Sequence, residues 1–448
     1  MTQNSPSSIR RQGLTGFHRK FLWPGFLFFV MLCLASPVLA EYPIKVVNNC
    51  KMKLFIRAGT QDELNPVALA PKAAHTYTVN APWNSGRVYG CWDDTSALGL
   101  DFFDINMQKH CALIEPTVTS DAGAVNVDIS YVDFITIPAR MEVLGCTAGN
   151  PVSYCDSSDP TIPTKCRVTA RHTVDELKGC PTALFGKGRS CQSSYHLCED
   201  KPDHPICSKF KNWIHTCAGN PSKYPGCEAT AHLTTKDVYG CDDFFGTDKG
   251  KPYCAEMNRG VFGRANKTKF YAREPYNDYA KWVHHITGDI YAFPYDDVGD
   301  RGGDLGCQTS KGLIITFCPL SKKVMRAYLG DSRININDYD IDVYRFEGMK
   351  GEEVIIRLEN TDTASGGASL MIMGPALVKT ASGNLPQLID TILPSTGTYT
   401  VYVSNITGTN RYAGPYHISI KSSGNAYTRF RAGSSVEISQ NASSDEVR

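Results

Sequence analysis

Thiol sulfur is the most unevenly distributed reactive chemistry in this chain. Sixteen of its seventeen cysteines fall between Cys50 and Cys318, and none lies in the last 130 residues. Cysteines at that density either hold metal or pair as disulfides. No Cys-x-x-Cys pair occurs and no His-x₃-His partners them, so zinc spacing is missing. The even set reads instead as a disulfide framework of up to eight bridges. A carboxylate stands out next. Val125, Val127, Ile129 and Tyr131 alternate with Asn126, Asp128 and Ser130, the period-two mark of a half-buried strand. Asp133 then falls in phase with the apolar face, where a carboxylate is costly unless paired or hydrogen-bonded. Either a bulge re-aims the chain there, or Asp133 is held in a polar cleft. His284 and His285 are adjacent, and adjacent residues on a helix diverge by about 100°, which argues against a shared site. No Gly-rich phosphate loop, Ser-His-Asp order or metal motif offers competing chemistry.

The N-terminus supplies the compartment that disulfides need. Arg10, Arg11, Arg19 and Lys20 precede the apolar run FLWPGFLFFVMLCLASPVLA, with small residues before a cut at Ala40/Glu41. This is the layout of a secretory signal peptide over residues 1–40. Pro24, Ser36 and Pro37 interrupt the run and no second span follows, which disfavours a membrane anchor in the mature protein. Secretion to the extracellular space is the expectation. The remaining 408 or so residues make two or three domains. A formal net charge of +1 implies neither a nucleic-acid partner nor a polyanion-seeking surface.

The elements that must position these groups are mainly β. YPIKVVNNC, KLFIRAG, HTYTVNA and RVYGCW are short β-rich runs separated by Asn, Pro and Gly turns. From about 146 to 286 the chain becomes a Cys-rich lobe of loops and helix. Within it, NDYAKWVHHI places Tyr279, Trp282, Val283 and Ile286 on one helical face. IYAFPYDDV and GLIITFCP read as two more β-like runs. After Pro319 cysteines stop, and DIDVYRFEG, EEVIIRLEN, ASLMIMG, GTYTVYVSN and PYHISIKSS alternate at sandwich-like spacing. A domain boundary near Ser321 follows, with a sandwich over 324–422 expected to fold alone and a disordered polar tail over 423–448.

The runs VVNNC, GRVYGC, DISYVDF, YAFPYDD and ITFCP occur in the order seen in thaumatin-like proteins, and residues 42–319 resemble that family. The resemblance implies a thaumatin-like β-sandwich or barrel over 41–320. It also implies bridges Cys50–Cys318 and Cys146–Cys307, the first closing a loop long enough to contribute on the order of 4 to 5 kcal/mol. Two departures stand out: only Cys91 and Cys111 occupy the stretch between the first ladder and the glutamate of CALIEP, and the Cys-rich lobe is longer than in the plant family. CAEMNRGVFG and FYAREPYNDYAKWVHHITGDIYAFPYDDVGD resemble laminaripentaose-producing β-1,3-glucanases more closely. The stretch 324–422 resembles bacterial pre-peptidase C-terminal domains. There Asp338, Asp340 and Asp342 share a strand face and suit a structural Ca²⁺; no other cofactor is expected.

What these resemblances imply for function is an acidic cleft. Carried over motif by motif, its members are Arg87, Glu115, Asp128, Asp133 and Asp296. Glycoside hydrolysis needs one carboxyl kept protonated and another ionised. The resembling glucanases imply Glu115 as acid and Asp133 as base in an inverting endo-β-1,3-glucanase. Asp128 lies five residues before Asp133, an odd spacing that puts them on opposite faces unless the strand bulges near Val132. The implied partner is β-1,3-glucan or a related cell-wall polysaccharide, met by a monomer. The alternative is a non-catalytic glucan-binding or antifungal thaumatin-like protein, because an acidic cleft also serves binding alone.

Overall fold

The computed structural model describes residues 41–119, 123–146, 155–156, 165–185, 190–288, 290–298, 304–329, 339–361, 366–405, 414–424, 426–432 and 436–438. Residues 1–40, where a signal peptide is expected, lie outside them. The protein is mainly β, with a disulfide-rich helical lobe and a C-terminal β-sandwich.

The first part holds β1 (Glu41–Asn48), β2 (Leu54–Gly59), β3 (Val67–Leu69), β4 (Ala74–Asn80), β5 (Arg87–Cys91), β6 (Cys111–Val118) and β7 (Val125–Ser130). It continues with β8 (Phe134–Ile135), β9 (Ala139–Leu144), β10 (Cys155–Asp156), β11 (Lys165–Thr169), β12 (Cys191–Gln192), β13 (Asp304–Cys307) and β14 (Gly312–Phe317). Two open six-stranded sheets result, in the orders β10-β11-β9-β14-β1-β4 and β13-β7-β6-β5-β2-β3. Strict alternation drives them together: Tyr42, Ile44 and Val46 of β1, Leu54 and Ile56 of β2, and Val125, Val127 and Ile129 of β7 bury one face of their strands in a shared core. The first and last strands run parallel, with Ile44 opposite Leu313, and Cys50–Cys318 ties their ends at a Cα separation of 4.9 Å.

Between β12 and β13 sits the lobe, built on α1 (Ser194–Asp200), α2 (Lys211–Ala218), α3 (Thr235–Gly240), α4 (Lys251–Asn258) and α5 (Asp278–Thr287). Asn277 caps α5 by accepting from the Ala280 amide. Tyr279 and Val283 are buried on its core face, with Trp282 and Ile286 partly buried beside them. IYAFPYDDV is not a strand. Apart from one bridge between Tyr291 and Ser130 it is turn, because Pro294 interrupts it and the Asp296 side chain folds back to accept the Ala292 amide.

Seven bridges are described, including the expected Cys50–Cys318 and Cys146–Cys307, and Cys91–Cys111 closes the excursion between β5 and β6. The sulfurs of Cys146, Cys166 and Cys307 lie within 4.8 Å of one another, but all three belong to disulfides rather than to a metal site. Titrating the denatured, unreduced mature protein should therefore find no free thiol. Two or more per chain would overturn the framework.

The second sandwich pairs β15 (Ser321–Leu329), β17 (Glu353–Asn360), β20 (Gln387–Ile392) and β22 (Gly414–Ser422) in one sheet. Opposite lie β16 (Tyr339–Gly348), β18 (Gly367–Gly374), β19 (Leu377–Asn384), β21 (Gly397–Ser404), β23 (Arg431–Ala432) and β24 (Val436–Ile438). It has its own core of Val354, Ile356, Leu370, Ile372, Tyr399, Val401, Ile418 and Ile420. Residues 426–432 and 436–438 are not the disordered tail expected from their polarity: α6 (Ala426–Arg429) buries Ala426, and Phe430 stacks on Tyr344. Residues 439–448 lie outside the described residues.

The two sandwiches share polar contacts. Glu353 is buried and accepts from Thr169 at 3.0 Å, with Arg140 and Arg167 nearby, while Lys421 pairs with Glu176 and Arg171 with Asp390.

Candidate active site

Strand register assembles the carboxylates. Val88 of β5 faces Ile114 of β6, Glu115 faces Asp128 of β7, and Asp128 faces Asp304 of β13. Arg87, Glu115, Asp128 and Asp304 therefore form one row across four neighbouring strands. Because Val125, Val127 and Ile129 point into the core, Asp128 and Ser130 project from the opposite face. Arg87 reaches Glu115 at 4.0 Å and lies 5.0 Å over the ring of the exposed Phe103.

Like charges opposite one another on strands disfavour ionisation. Burial raises the pKa of Glu115, aided by Asp133 and opposed by Arg87 and a hydrogen bond with Ser130. Burial, then Glu115, Asp304 and Asp297, raise Asp128 well above the usual carboxylate range. Asp304 is raised by burial and Asp297 against a hydrogen bond with Asn126. Tyr291, bridged to Ser130, is pushed up by burial and by Asp297, Asp304 and Asp128.

Asp133 reaches this neighbourhood by a route the odd spacing did not foresee. The strand does not bulge; it ends at Ser130. Tyr131 then turns inward, fully buried, donating its hydroxyl to the Ile137 carbonyl at 2.8 Å while its own carbonyl accepts from Tyr279 at 2.6 Å. That turn places Asp133 in a polar setting, where Gln108 donates to Oδ2 at 3.0 Å and His196 contacts Oδ1 at 2.8 Å. His196 meets Glu199 through its other nitrogen at 2.9 Å. An imidazole can donate at both nitrogens only when protonated. Burial works against that charge, but Asp133 and Glu199 outweigh it and raise the His196 pKa. The imidazolium charge facing Asp133 is therefore lost as pH rises through that raised value.

Asp296 is not part of the acidic face, contrary to its assignment from YAFPYDD. It is 4% exposed. Arg259 meets Oδ1 at 3.0 Å and His284 meets Oδ2 at 2.7 Å. Burial alone would raise its pKa; His284 and Arg259 hold it below the ordinary value instead. Arg259 also donates to the backbone carbonyls of Asp296 and Val298, clamping the turn. The neighbour that meets the acidic row is Asp297, exposed and interacting with Tyr291 and Asp128. His284 and His285 diverge as helical geometry requires: His284 points to Asp296 and Tyr271, His285 to Arg357 of the second sandwich.

Asp297, Asp304, Gln108 and His196 were not singled out from sequence. Asp297 was half visible in the Asp-Asp pair, whereas Asp304 becomes legible only through register. Of the residues suited to calcium, Asp342 accepts from the Tyr416 hydroxyl at 2.5 Å. Asp338 and the Asp340 side chain lie outside the described residues.

Residues 222–320 match the family model Glyco_hydro_64, described as Beta-1,3-glucanase. The match is less than a quarter of the chain. It spans Arg259, His284, Asp296, Asp297 and Asp304 but neither Glu115 nor Asp133. Among solved structures, a laminaripentaose-producing β-1,3-glucanase in complex with laminaritetraose is 13% identical, covering 62% of this chain and 99% of that one at a TM-score of 0.46. The laminaripentaose-producing β-1,3-glucanase of Paenibacillus barengoltzii complexed with laminarihexaose is 16% identical, covering 63% and 76% at a TM-score of 0.44. A β-1,3-glucanase domain from Clostridium beijerinckii is 15% identical, covering 63% and 100% at a TM-score of 0.42. Scores this low establish no shared fold or activity. No curated protein sequence matches significantly.

Proposed function

We propose that the protein is a secreted endo-β-1,3-glucanase, a glycoside hydrolase that inverts configuration at its acidic face. The observation that carries this reading is the contrast between two neighbouring carboxyls. Glu115 is pressed toward its protonated form by burial, whereas Asp133 faces a histidine whose pKa is raised by its two carboxylate neighbours against burial. That pairing is what an acid and a base flanking a glycosidic bond require. Glu115 delivers its proton to the leaving oxygen. Asp133 draws the proton from a water on the other side of the sugar, using the lone pairs that Gln108 and His196 leave open. Inversion needs the two carboxyl groups roughly 6.5–9.5 Å apart, leaving room for that water. Asp128, Asp297 and Asp304 accept hydrogen bonds from sugar hydroxyls, and the exposed ring of Phe103 offers a face to a pyranose. The β-1,3-glucanase family match over residues 222–320 supports the substrate class.

The same reading takes residues 41–320 as a thaumatin-like frame, 324–422 as a pre-peptidase C-terminal-like module, and the mature protein as a monomer. The Cys50–Cys318 and Cys146–Cys307 bridges support the frame.

A second reading, glucan binding without turnover, is favoured by one observation: both Asp133 oxygens already hold donors. Incubating the mature protein with laminarin separates the two. The hydrolase releases short oligosaccharides whose new reducing ends appear first as the α-anomer by proton NMR. β-anomer first would overturn inversion, and retention on curdlan without products would leave binding alone.

A further inference from the structure

A second pocket lies away from the acidic row. It has a volume of about 860 Å³, within the range of small-molecule sites, and none of the acidic-row residues lines it. Its walls are Phe270, Tyr271, Tyr276 and Trp282, all half-buried, with Asp278 and Lys281 at the polar end.

The one carboxylate in the lining is already engaged. Lys209 pairs with Asp278 at 2.6 Å and with Glu274 at 2.9 Å. Lys281 donates to the Tyr276 hydroxyl at 2.7 Å while sitting 4.3 Å over the ring. Asp278 is thus already paired, and it is the aromatic faces, which make up more of the lining than the exposed Lys269 and Lys281, that suit an uncharged ligand. Tyr271 is held with a positive φ of 57°, a backbone state that costs energy in a non-glycine residue. Its amide donates to the Arg259 carbonyl at 2.9 Å, and its hydroxyl is fixed at 2.7 Å from His284, which Asp296 anchors from behind. A buried relay thus orients one hydroxyl at the wall of a pocket otherwise lined by aromatic faces. Flat apolar faces with a few fixed polar atoms match a pyranose, whose axial C–H faces are apolar and whose rim carries hydroxyls.

We propose that this pocket is a second, non-catalytic saccharide site that seats a segment of neutral polysaccharide against Tyr276 and Trp282. That the polysaccharide is β-1,3-glucan rests on the proposed function; that the site takes a neutral glycan does not. A chain held there would be tethered to insoluble substrate independently of the acidic face.

The test uses the full mature chain. In the Glu115→Gln background, calorimetry with laminarihexaose should show two binding events, and Trp282→Ala should remove one. In the parent background, Trp282→Ala should lower retention on curdlan about three- to tenfold and leave turnover of soluble laminarihexaose within about twofold. Tyr276→Ala and Tyr271→Phe, which removes only the oriented hydroxyl, serve where Trp282→Ala does not fold. Unchanged retention in the folded variants would overturn the proposal. Joint loss of binding and turnover would also overturn it, because the pocket would then belong to the reacting site. If no laminarihexaose binds anywhere, the β-1,3-glucan reading fails. Cellohexaose, chitohexaose and xylohexaose then become the probes: binding lost in Trp282→Ala supports the pocket, and binding of none overturns it.

Discussion

Replacing Glu115 by Gln is expected to cut laminarin turnover by ~10² or more with little change in binding. The substitution keeps the size and hydrogen-bonding capacity of the side chain but removes the proton that the leaving oxygen must receive. The pH dependence identifies that role. Burial and Asp133 raise the Glu115 pKa against Arg87 and Ser130, so the working proton survives to higher pH than on an ordinary glutamate. Activity should fall on the alkaline side as pH rises through that raised value, and this limb should vanish from the residual activity of Glu115→Gln. Folding should respond in the opposite sense. A carboxyl whose folded pKa is raised weakens the native state once pH exceeds its unfolded value. Glu115→Gln should therefore be as stable as the parent at pH 7, or slightly more so, by urea unfolding. A variant that keeps more than about a third of parental turnover would remove Glu115 from the chemistry. If the parent shows no turnover and Glu115→Gln weakens curdlan retention, the acidic face only binds.

The fold was legible where a single physical rule decides the outcome. Alternation in YPIKVVNNC, VNVDIS and GTYTVYVS fixes which side chains face the core, so these strands lie where the pattern puts them. It failed where side chains redirect the backbone. IYAFPYDDV has β-like composition, but Asp296 captures the Ala292 amide and the run becomes a turn. α6 and Phe430 are set by the apolar surface the second sandwich offers them, which a polar local sequence conceals. The site divides in the same way. Arg87, Glu115 and Asp128 sit within motifs, and register brings them together. The fourth carboxyl was displaced by one residue, because a buried cation claims Asp296 and leaves Asp297 to the acidic face. Gln108 and His196 come from the excursion before β6 and from α1, distant in sequence from Asp133. Nothing local marks either one, since their role exists only after the chain turns at Tyr131.

Asp296→Asn is expected to damage stability far more than chemistry, costing about 3 kcal/mol or more at pH 7. Arg259 is 3% exposed, and its guanidinium loses its only described carboxylate partner when the charge at 296 is removed. An uncompensated buried cation is among the costliest single changes available to a folded chain. The pH dependence separates this from a simple packing defect. His284 and Arg259 hold the Asp296 pKa below its ordinary value, so its stabilisation is complete above the unfolded aspartate value of about 4 and is lost as pH falls through the folded one. The stability gap between parent and variant should therefore be widest near neutrality and close progressively below about pH 4. Urea unfolding at a series of pH values measures this directly. A gap that stays constant with pH would mean that the carboxylate acts by shape rather than by charge. If Asp296→Asn instead left stability intact and abolished turnover, Asp296 would belong with the acidic face after all, and the division of labour between it and Asp297 would be wrong.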